Sequence, residues 1–143
     1  MASKSLKTYS PDKILIVIGA FTLTGVADGT FVAIEAMTDG VASEAGAYGD
    51  IARAMSLDTR HTITVTLQQT SDSNTLLSGL YQADRVSSGD GVVPVAVTDL
   101  RGQTVFAGMG WVRKQATSTF SKGLEAKEWV IEATGDYIAG GNL

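Results

Sequence analysis

The sharpest alternation of hydrophobic and polar positions lies at residues 61–70 (HTITVTLQQT). Ile63, Val65 and Leu67 point one way there, and Thr62, Thr64, Thr66 and Gln68 the other. A period of two marks a strand with one buried and one wet face. The stretch from Gly108 to Ala133 predicts two long strands joined by a Ser/Lys/Gly turn. In the second, Trp129, Ile131 and Ala133 alternate with Glu128 and Glu132. In the first, Val105, Ala107, Met109 and Trp111 form one row, closed by Arg113 and Lys114. Paired, these strands are expected to put both tryptophans on one core face, where large aromatics dominate the energetics.

The rest of the chain predicts further strands and one helix. Residues 1–12 are a polar arm in which Pro11 biases Ser10 toward an extended shape. The run 13–18 (KILIVI) is continuously apolar and β-branched, the mark of a strand covered on both faces. Gly19-Ala20 reverses the chain into the alternating run 21–24, and 25–29 (GVADG) is a turn. Residues 30–38 (TFVAIEAMT) form a third strand with Glu35 on an exposed or subunit-facing side, because an unpaired buried carboxylate is costly. Residues 51–57 predict a short strand, followed by a turn at 58–60.

Residues 39–50 (DGVASEAGAYGD) carry no periodic signal, with Tyr48 their only large side chain. A loop of about a dozen residues in a compact domain is usually functional or disordered. Ser71-Asp72-Ser73 caps the one convincing helix, 74–86, whose Leu76, Leu77, Leu80 and Tyr81 share a side. Pro94 removes a ladder donor from the strand 91–98, which suggests an edge or a bulge. Residues 135–143 read as a loose terminal arm. Many short strands with one mid-chain helix predict a mainly β chain, a two-sheet sandwich or barrel flanked by the helix, in one domain spanning 1–143.

Composition narrows the function. Charged residues make up 18% of the chain and hydrophobic residues 44%. An ordinary surface carries about 25% charge, so much of this one is neutral polar or covered by copies of itself. Net charge is −4 and no basic cluster exceeds Arg113-Lys114, which disfavours a phosphate-neutralising surface. The sequence has no cysteine, which excludes disulfides and thiolate metal sites. His61, the single histidine, lies at the start of a strand, and with no cysteine and no second histidine it is not expected to be a metal ligand or a base. No nucleophile elbow, P-loop or dinucleotide pattern occurs, so neither enzyme activity nor a cofactor is expected. Phe106, Trp111, Phe120 and Trp129 fall on predicted strands and read mostly as core. The apolar run at 14–18 is far shorter than the ~20 residues of a membrane helix, and no signal-peptide core precedes it. A cytosolic site of synthesis is expected.

The opening KTYSPDKILIVIGAFTLTGVADGTFVAIE and the closing STFSKGLEAKEWVIEA resemble the tail-tube proteins of contractile-tailed bacteriophages, in the order and spacing of elements over nearly the whole chain. That resemblance implies a structural subunit of homohexameric rings stacked into a tube, surrounded by a sheath, through which double-stranded DNA passes without specific binding. Its partners would be itself and the sheath, baseplate and terminator proteins, in a virion tail assembled in the host cytoplasm. The loop 39–50, with Asp39, Val41, Glu44, Tyr48 and Asp50, would reach an adjacent subunit, and the two arms would make ring-to-ring contacts. Glu35, Thr62, Thr64, Thr66 and Gln68 are the expected lumen-facing row. A tube subunit of a type VI-like secretion machine and a small ligand- or partner-binding β-barrel are the alternatives.

Overall fold

The computed structural model describes residues 6, 8–102 and 104–140. A 3₁₀ turn at Pro11–Lys13 leads into β1 (Ile14–Ile18), β2 (Phe21–Thr22) and β3 (Val32–Ala36). Next come β4 (Val41–Ala45), β5 (Ile51–Met55), β6 (Arg60–Leu67) and the helix α1 (Ser73–Ser87). The long strands β7 (Val93–Asp99), β8 (Thr104–Lys114) and β9 (Lys127–Tyr137) follow. Among the described residues the chain is mainly β, with one α-helix and two sheets, as expected from its patterning. The sheets are unequal: seven strands run in the order β2-β1-β7-β8-β9-β6-β3, and β4 and β5 pair only with each other.

All the pairings are antiparallel, and residues directly opposite share a face. One face of the large sheet carries the core. Ile16, Val97 and Phe106 lie in one row, and Ile63, Ile131 and Val112 in another, all at most 5% exposed. Leu77 of α1 closes over this face with Leu76, Leu80 and Tyr81, and α1 packs against β8. The sheet curls far enough that Ile14 and Val97 line the same open apolar groove as Val32 and Ile34 of its opposite edge, about 430 Å³ in volume.

The long β8–β9 pair forms, but with the opposite face inward on β8. Phe106, Gly110 and Val112 are buried, whereas Ala107 and Met109 are exposed. Trp111 stands opposite Glu132 on the outer face, so the two tryptophans do not share the core; Trp129 alone is buried, at 3% exposure. Two glycines on the core row, Gly108 and Gly110, hide its alternation and let the β9 backbone come close. A Cβ on Gly108 would sit 2.2 Å from the Thr134 carbonyl oxygen. Phe120 is also not core: it lies in the loop after β8 and is 79% exposed.

Other expectations shift in smaller ways. β7 is a central strand, and Pro94 is at neither an edge nor the bulge, which falls at Val97/Thr98. Pro94 is tolerated because β1 ends opposite Val95, so the missing N–H falls beyond the end of that ladder. Its carbonyl accepts from Gly19 N–H at 2.7 Å. β1 is not covered on both faces alike: Ile16 and Ile18 are buried, Leu15 and Val17 half-buried. Residues 135–137 belong to β9 rather than to a loose arm, and Ile138 N–H donates to Val105 O at 2.8 Å. Of the expected arms, residues 1–5, 7 and 141–143 lie outside the described residues.

Candidate functional site

The stretch 39–50 is where the structure departs most from the sequence reading. It is not an irregular loop: Val41–Ala45 forms β4 and pairs antiparallel with β5, in register from Val41–Met55 to Ala45–Ile51. A tight turn closes the hairpin, Gly46 N–H donating to Asp50 O at 2.7 Å and Gly49 to Gly46 O at 3.0 Å, with Gly49 at φ +89°. Every residue from Thr38 to Leu57 is exposed. One hairpin face carries Val41, Met55, Ala45 and Ile51 around Ser43 and Arg53, and the other carries Ala42, Ala54, Ala52 and Glu44. Tyr48 at the tip is 100% exposed, Ile51 74% and Met55 68%. Alternation was hidden because alanine, serine and glutamate occupy the other positions of β4, leaving Val41 its only large apolar residue.

Of the residues expected to reach a neighbour, Val41 and Glu44 stand on β4, Tyr48 and Asp50 in the turn, and Asp39 at the root. Sequence reasoning missed the second strand's contribution, Ile51, Arg53 and Met55, which the register places directly across from β4.

The residues expected on the polar row come together on the outer face of the large sheet. Glu35 lies opposite Thr62, and Thr62 opposite Glu132. Thr64 lies between Ala33 and Val130, and Thr66 opposite Glu128. Gln68 lies past the end of β6, its N–H donating to Gly25 O at 2.8 Å. Sequence reasoning also missed Trp111 and Arg113 as neighbours of this row; Arg113 reaches Glu132 at 3.5 Å. The core and α1 occupy the other face; among the described residues, Thr62, Thr64, Thr66 and Glu132 on this one are half-buried.

Beneath the hairpin, Asp58 and Arg60 form a forked ion pair. Arg60 Nε donates to Asp58 Oδ1 and its Nη2 to Oδ2, each at 2.9 Å. The Asp58 carboxylate also accepts from Arg60 N–H at 3.0 Å and Thr38 Oγ1 at 3.3 Å. The guanidinium hydrogen bonds hold the Asp58 carboxyl far below the usual carboxylate range. The pair therefore stays ionised through that range, and its contribution to stability declines as pH falls below the usual carboxylate range toward the depressed value.

His61 sits edge-on to Phe106 and Tyr137, with centroids 5.3 and 5.4 Å away. Its Nδ1 is 2.8 Å from Thr59 O, which can only accept, so Nδ1 carries a proton. Trp129 Nε1 donates to Asn74 Oδ1 at 2.9 Å, and Asn74 Nδ2 donates to Gln68 O at 2.9 Å. That side chain ties the start of α1 to β9 and to the end of β6. Among the described residues no group of His, Asp or Glu is placed to hold a metal ion, and no helix is long and apolar enough to cross a membrane.

Comparison with known proteins agrees with this architecture. The chain is 30% identical to structural protein ORF10 of Pseudomonas phage KPP10, over 94% of this chain and 83% of that protein. Its fold is similar to the anti-feeding prophage cap, the AFP tube terminating cap solved by cryo-EM. That match has a TM-score of 0.56 at 6% identity and covers 94% of this chain and 93% of the other. Residues 13–138, nearly all of the described structure, match the family of the bacteriophage PhiTE tail tube protein. A match of that extent, with a phage structural relative and a shared fold, identifies the chain as a member of the PhiTE tail tube protein family.

Proposed function

We propose that this chain builds the tail tube of a contractile-tailed phage as stacked six-membered rings whose bore conducts double-stranded DNA during ejection. Family membership implies self-assembly into a tube, association with other tail proteins and a place in the virion tail. The observation that carries the finer reading is the hairpin β4–β5. A two-stranded hairpin standing alone in water is marginally stable at best. This one nevertheless exposes Tyr48, Ile51 and Met55 and buries none of its residues. Its apolar area is accounted for when a neighbouring subunit covers it. Among the described residues β2 and β3 form the two margins of the large sheet, template edges that a closed ring would protect from uncontrolled aggregation.

The outer face around Thr62, Thr64 and Thr66 supplies a bore of mainly neutral and acidic side chains, including Glu35, Glu128 and Glu132, with Arg113 held against Glu132. Such a lining repels phosphates rather than trapping them. Sheath, baseplate and terminator proteins are the proposed partners in the tail.

Negative-stain microscopy of the purified protein tests the reading. Rings or tubes of uniform bore are expected, and a version lacking residues 42–49 should remain a folded monomer that does not assemble. Dispersed monomers of the intact protein at high concentration would overturn the tube, and tubes from the deleted version would overturn the hairpin as the subunit clasp.

A further inference from the structure

The paired ladders on either side of the hairpin root are separate. The β3–β6 ladder stops at Ala36–His61, and the β4–β5 ladder begins at Val41–Met55. Between them lies a joint, residues 37–40 on one leg and 56–60 on the other. Two backbone bonds cross it, from Met37 N–H to Arg60 O at 3.1 Å and from Ser56 N–H to Gly40 O at 2.9 Å. Asp58 sits in the middle of this joint, half-buried where its neighbours in the hairpin are all exposed. Its carboxylate reaches both legs at once: the Thr38 hydroxyl on the first, and the Arg60 guanidinium and N–H on the second. Asp58 N–H in turn donates to Ser56 Oγ at 3.2 Å. The following residue fastens the joint to the sheet, since Thr59 O accepts from His61 Nδ1 and Thr59 Oγ1 lies 2.7 Å from Thr134 Oγ1 on β9.

We propose that Asp58, through its fork with Arg60 and its bond to Thr38, is the positioning residue that fixes the direction in which the β4–β5 hairpin leaves the sheet. With no side chain of residues 38–57 buried against the core, packing cannot set that direction. A forked carboxylate–guanidinium pair is planar and directional, so it restricts rotation at the joint in a way a single bond does not. The proposal rests on the tube reading for its consequence: a subunit whose hairpin is held at one angle meets its neighbour prearranged, and a loose hairpin must be ordered at each contact.

Two variants test it. Asp58→Asn keeps an acceptor for Arg60 N–H but loses the charge and the fork, and Arg60→Lys keeps the charge but loses the fork. In dilute, unassembled protein, hydrogen–deuterium exchange over residues 40–56 should rise by roughly two- to fivefold in both, the span that contacts of this exposed kind convert to. Exchange over β8 and β9 and the thermal midpoint should stay at the wild-type values, because the core does not use this pair. Tube yield should fall in the same order as hairpin protection. Unchanged exchange over 40–56, or a rise spread equally over β8 and β9, would overturn the proposal. Failure of the intact protein to form tubes would instead remove the tube reading, and the exchange comparison would still decide whether Asp58 holds the hairpin.

Discussion

At the scale of single residues, glycines made the difference between a correct and an inverted strand. On β8 the residues with side chains on the outer row, Ala107, Met109 and Trp111, outnumber the buried pair Phe106 and Val112, because Gly108 and Gly110 contribute nothing to the pattern. Apolar size therefore pointed to the wrong face, and only the approach of β9 shows why the glycines are there. The consequence is measurable with two substitutions of opposite sign. Gly108→Ala drives a methyl group against Thr134 O and the Gly135 Cα, both backbone atoms, and should cost about 1–3 kcal/mol as overpacking. Gly79→Ala, on α1 with open space around the added carbon, should gain up to about 1 kcal/mol through helix propensity. Urea unfolding of both variants checks the contrast, and equal effects would mean that the β8–β9 backbones are not in close approach.

At the scale of elements, legibility followed burial. β6, β9 and α1 were readable because each lays a row of large apolar residues on a core, as Ile63, Val65 and Leu67 do. The hairpin was not, because an element that buries nothing within its own chain is under no pressure to alternate. Its strand β5 was readable only as a short segment, and its partner β4 is mostly alanine, serine and glutamate. The same argument predicts how it responds to charge. Ile51→Lys or Met55→Lys touches no core contact, so folding stability should stay within about 0.5 kcal/mol of the parent. Each substitution nevertheless replaces an exposed apolar side chain with a second cation beside Arg53, on a face that assembly covers in the proposed ring, so tube formation should be abolished or shifted to far higher protein concentration. Paired measurements of unfolding and of sedimentation separate the two effects. Loss of stability without loss of assembly would mean that the hairpin serves its own subunit.

At the scale of the whole molecule, the sheet has one face closed by core and helix and a second that carries the half-buried polar row of β6, and in the proposed tube function depends on what this second face meets. The sequence revealed the polar row of β6 but not its surroundings, since Glu132, Glu128 and Trp111 reach it only through strand order. In the proposed tube this face lines the bore, and six copies per ring repeat any change made to it. Thr64→Lys is the informative substitution. Thr64 lies between Ala33 and Val130, so a lysine stem can lie along apolar neighbours and lift its ammonium into the open. Each ring would then carry a circle of cations, and phosphates passing it would be held by contacts whose strength falls steeply with salt. Phage carrying the substitution should build tubes of normal length yet release DNA slowly at low ionic strength, recovering as salt is raised. Tubes of normal length with wild-type release at every salt concentration would take this row off the bore and leave the outer surface of the tube as its place.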